Sequence, residues 1–369
     1  MGRRFMVLSA TMGAGHDAVA RELARRLTAA GHEVLVHDVL TLLPRGTGAA
    51  LRACYRFSVR HVPGAYAAVH AVFLAPRART HAPQGRRRHP GVSVPAALAE
   101  ARLRALVDRW RPDAVVCTFH LAGQFTGRMR ERGTLAVPSA VFVTDFAVHR
   151  GWLHPANDLY LCVTEVAAQA VRAATGCPVA APGPVVPPAF LRPAGPGTWH
   201  WAGDRPAVLI GSGAWGVGSG LTRTAAALAG HGCLPVLLCG RDERLRRQAA
   251  RVPGAVALGW VEDLPQLMAS ARLLIDNAAG QTAVQALAAG LPVIGYRPLA
   301  GHGAAGVRAM AADGLTTCAR SLDELLSAVD ALLPPGPVRD GRITRGLSVL
   351  QDDAARFVAD LADGVPPAA

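Results

Sequence analysis

The stretch Phe5–Leu27, FMVLSATMGAGHDAVARELARRL, decides the fold class. Phe5–Ala10 is a short apolar run, long enough for one buried strand. Thr11–Asp17 reads as a tight Gly-rich turn, and Ala18–Leu27 repeats apolar residues at helical spacing through Val19, Leu23 and Leu27. Strand, glycine turn and helix form the opening unit of a doubly wound α/β domain. The glycines let the backbone approach a ligand, and the helix N-terminus offers free N–H groups. Gly13-Ala14-Gly15-His16 is not a dinucleotide fingerprint, because no third glycine follows at the required place; His16 occupies the mouth of the loop instead. A similar unit recurs at Ala207–Leu228, AVLIGSGAWGVGSGLTRTAAAL. Two such units predict an α/β protein of two Rossmann-like domains facing across a cleft.

Working outward, 369 residues exceed one ordinary core and suit two domains. A composition 51% hydrophobic and 18% charged is globular rather than disordered. The seven cysteines form no C-x-x-C pair and mostly border apolar runs, which predicts reduced, buried thiols and a cytoplasmic setting. The apolar run after Arg3-Arg4 stops at the glycine turn, unlike a signal peptide, and no apolar stretch reaches spanning length. The net charge of +13 comes from arginine alone, since there is no lysine. A GC-rich coding sequence explains much of that total, but the distribution is more informative. From Val39 to Leu98 there is no acidic residue, while arginines recur at 45, 52, 56, 60, 77, 79, 86, 87 and 88. Such a block suits anionic lipid headgroups or nucleic acid phosphates, and no nucleic-acid-binding motif accompanies it.

Glu33–Val39 reads as the second strand. Ala49–Leu74 interleaves Arg52, Arg56 and Arg60 with Tyr55, Phe57, Tyr66 and Phe73, and predicts one or two amphipathic helices broken near Pro63-Gly64. It suits a helical hairpin packed on the sheet, or a surface touching a membrane or lipid. Ala75–Ser93 reads as a loop, and Pro178–Pro206 as the domain boundary, giving domains 1–185 and 186–369. Strands alternate with helices in both halves, which predicts parallel sheets. Leu347–Leu361 has helical spacing and is expected to pack back across the first domain.

Ligands of such sheets lie beyond the carboxyl ends of the strands. Those ends carry Gly13-Ala14-Gly15-His16, then Asp145 with His149, Trp152 and His154, then Gly211–Gly218, Cys239–Asp242 and Asp276–Thr282. His16 suits general-base chemistry, or caps a helix. Asp145 suits orienting His16 or meeting a substrate hydroxyl, or caps a turn. Asp276–Thr282 opens a helix and suits a diphosphate held on backbone N–H groups, or is an ordinary small-residue turn. His149, His154 and Asp158 lack a helical metal-ligand register, and Pro155 follows at once, so no metal is expected. There is no G-x-S-x-G elbow and no Walker lysine.

Taken in order, these stretches resemble the monogalactosyldiacylglycerol synthase family, which includes the processive diacylglycerol glucosyltransferases. SATMGAGHDAVARELARRL is similar to the family's glycine-rich loop ending in histidine, and VTDFAVHRGWLHPANDLYLCVTE to its acceptor-side segment. GPVVPPAF resembles the linker, with Pro184 where an isoleucine is usual. LCGRDERL and LGWVEDLPQLMASARLLIDNAAGQTAVQALAAGLPVI resemble the donor-side core. The resemblance implies a GT-B fold and an inverting, metal-independent transfer from a UDP-sugar to a lipid hydroxyl, with no cofactor. His16 would be the base, with Asp145 beside it. Gly213, Arg241, Trp260, Val261, Gly280, Gln281, Thr282, Gln285 and His302 would hold the donor, with Gly280, Gln281 and Thr282 on the diphosphate. Gly13, Gly15, His149 and Trp152 would lie on the acceptor side, and the Tyr55–Tyr66 region would face acceptor and membrane. Binding would be peripheral, at the inner face of the cell membrane, with no nucleic acid partner. Gln285 stands where the family usually has glutamate, and Gly306 where it has asparagine, so the usual sugar contacts are thinned. Two other readings stay open: another GT-B enzyme, such as a tailoring glycosyltransferase or an epimerase, and a non-catalytic binding protein on the same fold.

Overall fold

The computed structural model describes residues 2–74, 94–191, 199 and 203–365. Strands β1 (Arg4–Ser9), β2 (Glu33–Asp38), β3 (Ala114–Cys117), β4 (Ser139–Val143), β5 (Leu159–Cys162) and β6 (Val179–Ala180) form a parallel sheet in the order β2-β1-β3-β4-β5-β6. Its helices are α1 (Gly15–Ala29), α2 (Thr47–His61), α3 (Pro63–Val69), α4 (Val94–Trp110), α5 (His120–Glu131), α6 (Glu165–Thr175) and α7 (Pro188–Leu191). A second parallel sheet holds β7 (Ala207–Gly211), β8 (Leu234–Leu238), β9 (Val256–Leu258), β10 (Leu273–Asp276), β11 (Val293–Tyr296) and β12 (Thr316–Ala319), in the order β12-β11-β10-β7-β8-β9. The helices of this half are α8 (Leu221–Gly230), α9 (Glu243–Ala249), α10 (Leu264–Ala269), α11 (Gln281–Ala288), α12 (His302–Ala312), α13 (Leu322–Leu332), α14 (Pro337–Leu347) and α15 (Ala354–Ala362).

The central strands are buried along their length, as expected where helices cover both faces of a parallel sheet. Their sequences are therefore continuous apolar runs such as AVLIG and LLID. The strand order reverses between β1 and β3 in one sheet, and between β7 and β10 in the other. Those switch points open the crevices in which doubly wound sheets take ligands.

Three expectations need adjusting. The first helix starts at Gly15 rather than Ala18, because Ala14 already has helical dihedrals and the Ser9 hydroxyl donates to Asp17 at 2.6 Å in the first turn. His16 therefore belongs to the helix, not to the loop. The proline-rich stretch read as boundary contains the short edge strand β6. The break near Pro63-Gly64 falls at Val62, which is the C-cap of α2. The loop Ala75–Ser93, with its arginines from 77 to 88, lies outside the described residues.

Helix α1 lies between the two halves. It packs on β1 and β2, against α15 from the end of the chain, and against the start of α11. The Glu22 side chain, 3% exposed, accepts from Arg25 and Arg26 at 2.8 Å. Arg26 reaches on to the Val186 carbonyl at 2.7 Å and to Asp353 at 3.0 Å, tying α1 to the linker and to the chain end. The linker itself is pressed against the tail: a Cβ on Gly183, whose φ is +89°, would come 1.9 Å from the Val349 carbonyl oxygen. One apolar cluster runs through this junction, from Leu23 and Leu27 through Val185 and Phe190 to Ala283 and Val358.

Burial raises the Glu22 titration, but the hydrogen bonds from Arg25 and Arg26 outweigh it and hold the carboxyl below its ordinary value. A lowered carboxyl pKa stabilises the fold above the usual carboxylate range, and that contribution is lost as pH falls through the folded value. Glu22→Gln is expected to cost about 3 kcal/mol at neutral pH in urea unfolding, because Arg26 loses its buried partner. The gap from wild type should narrow as pH drops below about 4. A gap that ignores pH would assign the loss to packing instead.

Candidate active site

The carboxyl ends of both sheets open into one cleft of about 620 Å³, lined from both halves of the chain. Gly13, Gly15, His16, Tyr55 and Asp145 line it from the first half. Gly213, Trp260, Val261, Gly280, Gln281, Thr282, Gln285 and His302 line it from the second. The starts of α1 and α11 meet there, since a Cβ on Gly15 would lie 3.6 Å from the Gln281 Cβ. Neither helix has a side-chain cap at its N-terminus, so the first-turn N–H groups of both are uncommitted to a side chain.

His16 Nδ1 lies 2.9 Å from the Thr118 carbonyl oxygen, with the Thr144 hydroxyl at 3.3 Å. A carbonyl only accepts, so in the neutral ring Nδ1 carries the proton and Nε2 is left as the basic nitrogen. Burial lowers the His16 pKa, while Asp145 and the Thr118 carbonyl work against that shift. The ring packs edge-on to Phe119, centroids 5.0 Å apart, in an apolar wall that favours the neutral form.

Asp145 is held by other partners than His16. Its Oδ2 accepts from Trp152 Nε1 at 2.8 Å and faces His149 Nε2 at 3.4 Å. His149 Nδ1 accepts from the Gly151 N–H at 3.1 Å, so its proton sits on Nε2, toward Asp145. Burial opposes the charge on Asp145, but His149, His16 and His302 around it prevail and hold the carboxyl well below the usual range. His149 and Trp152 were expected on the acceptor side. Both are buried, Trp152 completely, and they serve as the bracket of Asp145 because the indole fills the core between β4 and α5.

On the other wall, Asp276 Oδ2 accepts from the N–H groups of Ala278 and Ala279 at 2.9 and 2.6 Å. That turn, with Ala279 at φ +52°, delivers Gly280 to the head of α11. The Gln281 side chain is spent on the Val185 carbonyl at 3.0 Å, so only its backbone faces the cleft as a donor. Arg241 does not line the cleft; its guanidinium lies over the half-exposed Trp260 ring at 4.6 Å. A Cβ on Gly306 would come 2.9 Å from the Ala279 Cβ, so close packing of α12 on this loop leaves no room for a side chain there.

The Tyr55–Tyr66 region was expected to face acceptor and membrane. Tyr55 lines the cleft, and the polar tips of the region reach across it. Tyr66 Oη is 2.7 Å from His302 Nδ1, Tyr55 stacks edge-on to Trp215 at 5.8 Å, and Arg60 forms an ion pair with Asp242, the N-cap of α9. Arg52 is likewise engaged, 3.6 Å from Asp38. Along residues 51–72 the large apolar side chains Leu51, Phe57, Val62, Val69 and Val72 are exposed.

Residues 16–180 match the monogalactosyldiacylglycerol (MGDG) synthase family. That match covers the first half of the cleft and stops short of the second sheet. The chain is 25% identical over 248 residues to a processive diacylglycerol beta-glucosyltransferase of Bacillus subtilis (strain 168), a match covering 64% of each chain. It thus spans just under two thirds of that relative's length. Among solved structures it superposes on the glycotransferase of kitacinnamycin with a TM-score of 0.65 at 18% identity, covering 99% of this chain and 100% of that one. It superposes on Acinetobacter baumannii MurG with a TM-score of 0.60 at 16% identity, covering 99% and 100%. The fold is GT-B: two α/β domains around one cleft.

Several residues in and beside the cleft escaped the reading of the sequence. His120 opens α5 and packs against Phe119, His149 and Trp152 at 4.2, 5.1 and 5.8 Å between centroids. Burial, then the neighbouring His149 and His16, push its pKa down to about 3. It stands at the carboxyl end of β3, directly at the switch point, and the strand-end rule applied to Thr118-Phe119-His120 would have found it. Thr118 and Thr144, which orient His16, carry no motif signal. Arg21 lines the cleft one turn along α1 from Asp17, and Trp215 and Glu262 line its far wall.

His16 should remain neutral at physiological pH as the Nδ1–H tautomer. Ring nitrogen shifts in NMR are expected to show that tautomer and a midpoint below the ordinary histidine value, with His120 titrating far lower still. A midpoint for His16 at or above the ordinary value would contradict the geometry.

Proposed function

We propose that the chain is an inverting glycosyltransferase that moves a hexose from a UDP-sugar to the hydroxyl of a lipid acceptor such as diacylglycerol. The observation that carries this reading is the meeting, in one cleft, of a tautomer-fixed His16 with the uncapped N-terminus of α11. His16 Nε2 takes the proton of the acceptor hydroxyl. The oxygen attacks the anomeric carbon from the face opposite the diphosphate, the bond from that carbon to the diphosphate oxygen breaks, and its electron pair leaves with UDP. The new negative charge meets the N–H groups at Gly280, Gln281 and Thr282 and the positive end of the α11 dipole, in place of a metal ion. Ionised Asp145, coupled to His16 through space, favours the imidazolium that forms. Trp260 with Arg241 suits the nucleotide base, and Gln285 the ribose. The names of the matched relatives support diacylglycerol as the acceptor class.

Membrane contact belongs to the same proposal. Among the described residues no helix is long and apolar enough to cross a membrane. Five of the exposed large apolar side chains fall between residues 51 and 72, on and just after α2 and α3, which suits peripheral attachment at the inner face of the cell membrane. One observation favours a non-catalytic binding protein as the second reading. The site of the family's asparagine is filled by the contact of Gly306 with Ala279, so any sugar contact must come from elsewhere, such as the Tyr66–His302 pair.

Thermal unfolding with UDP, and with GDP and NADH as controls, tests the donor site. A nucleotide at about one hundred times its dissociation constant stabilises by about 2.7 kcal/mol. UDP alone is expected to stabilise; no shift with any nucleotide would put the second reading first. His16→Ala should lower transfer by about 10²–10⁴-fold while preserving the UDP shift, and retained turnover would remove His16 as the base.

On the hairpin, Phe57→Ser with Val69→Ser and Val72→Ser should weaken vesicle co-sedimentation more than Arg52→Gln with Arg60→Gln. The two arginines already have carboxylate partners within the protein. The reverse order would show that charge, not apolar insertion, holds the protein to lipid.

A further inference from the structure

Behind α12, on the side away from the cleft, lies a second hollow of about 510 Å³. His302 at the start of α12 lines the cleft, while Ala304, Arg308 and Ala311 of the same helix line this hollow, so the helix is the partition between them. Its rim carries three arginines from three elements: Arg297 after β11, Arg308 on α12 and Arg320 after β12. No carboxylate is among its lining residues. Its floor is Pro298, Cys318 and short alanines.

The three guanidinium groups differ from most arginines of this chain. Arg3, Arg26, Arg60, Arg128 and Arg130 each lie on a carboxylate. Among the described residues, Arg297, Arg308 and Arg320 form no ion pair. Arg297 has φ +48°, in the left-handed region that a residue other than glycine rarely adopts. Its Nε donates to the Tyr296 hydroxyl at 3.1 Å, which keeps its side chain against that ring. Glu324, four residues beyond Arg320, is engaged in capping α13 through the Arg320 backbone N–H at 2.8 Å.

We propose that this hollow is an anion site separate from the cleft, and that it takes a phosphate group carried by a small organic body. Guanidinium forks match phosphate oxygens in pairs, and the exposed, unpaired Arg308 and Arg320 from two elements suit a phosphate, with Arg297, held on Tyr296, adding positive charge at the edge. The volume falls in the range of small-molecule pockets, beyond what a bare ion needs, and the apolar floor suits a short carbon skeleton such as glycerol. The phosphate comes either from a phospholipid headgroup at a membrane surface or from a soluble phosphate ester. The proposal is independent of the activity assigned to the cleft.

The test uses the full chain and the double variant Arg308→Gln with Arg320→Gln, both exposed positions whose loss leaves the core untouched. A control, Arg244→Gln with Arg247→Gln on the exposed face of α9, removes the same charge elsewhere in the domain. One arm measures binding of glycerol 3-phosphate by titration NMR. The other measures co-sedimentation with vesicles of phosphatidylglycerol and phosphatidylcholine in equal parts. The Arg308/Arg320 variant is expected to lose about tenfold or more in affinity, with the control near wild type. Loss in both arms identifies a soluble phosphate as a ligand in its own right. Loss confined to vesicles identifies the headgroup. No loss in either arm, or an equal loss in the control, would overturn the proposal.

Discussion

The cleft depends on where α1 is anchored. Its C-terminal half carries Glu22 and Arg26, whose buried pairing extends to the linker at Val186 and to Asp353 ahead of α15. Its N-terminal end carries Gly15 and His16, close against the head of α11. A buried carboxylate needs its cation in good geometry, so the rotation and height of α1 against the linker are constrained by that pair. His16 inherits the constraint through the rigid helix. Starting the helix at Gly15 rather than at Ala18 matters for this reason: a loop histidine would have its own freedom, whereas a first-turn histidine moves only with α1.

The electrostatics of the cleft follow from crowding titratable groups where little water reaches them. Three histidines, His16, His120 and His149, share one apolar pocket with one carboxylate, Asp145. Desolvation favours the neutral rings, and each ring raises the cost of a charge on the next. Asp145 resolves the balance by remaining ionised, supported by the Trp152 N–H and the His149 N–H. The outcome is a neutral His16 with a carboxylate near enough to welcome one proton. Facing it, the heads of α1 and α11 present N–H groups and two positive dipole ends. The proposed transfer rests on this arrangement, a neutral imidazole opposite two uncapped helix N-termini.

The departures from the family pattern acquire physical causes. Gly306 is small because α12 packs within a methyl radius of Ala279, and that approach shapes the loop that feeds α11. The hairpin of α2 and α3 compensates from the opposite domain, with Tyr66 on His302, Tyr55 by Trp215 and Arg60 on Asp242. Contacts that a sequence comparison counts as missing at position 306 have neighbours supplied across the cleft. Arginines that look like a lipid-binding block in sequence are partly spent on carboxylates that are distant in the chain.

Much of the fold was legible from local pattern. Apolar runs bounded by glycine turns located nearly every strand within a residue or two, because strands buried on both faces admit few polar residues. The strand-end rule located His16, Asp145 and the Gly280–Thr282 turn in one region for the same topological reason. What failed was partnership. Trp152 and His149 were assigned to a ligand surface, yet they turn inward to hold Asp145. Tyr66 was assigned to acceptor and membrane and Arg60 to the membrane surface; both close on the second half of the chain. His120 was passed over, though it sits at the switch point. The sequence by itself determined two parallel sheets, their glycine turns and the chemical types available at the strand ends, since these follow from periodicity and backbone geometry. The tertiary structure alone decided which side chain meets which, because direction, burial and charge pairing are set by elements brought together across more than a hundred residues of chain.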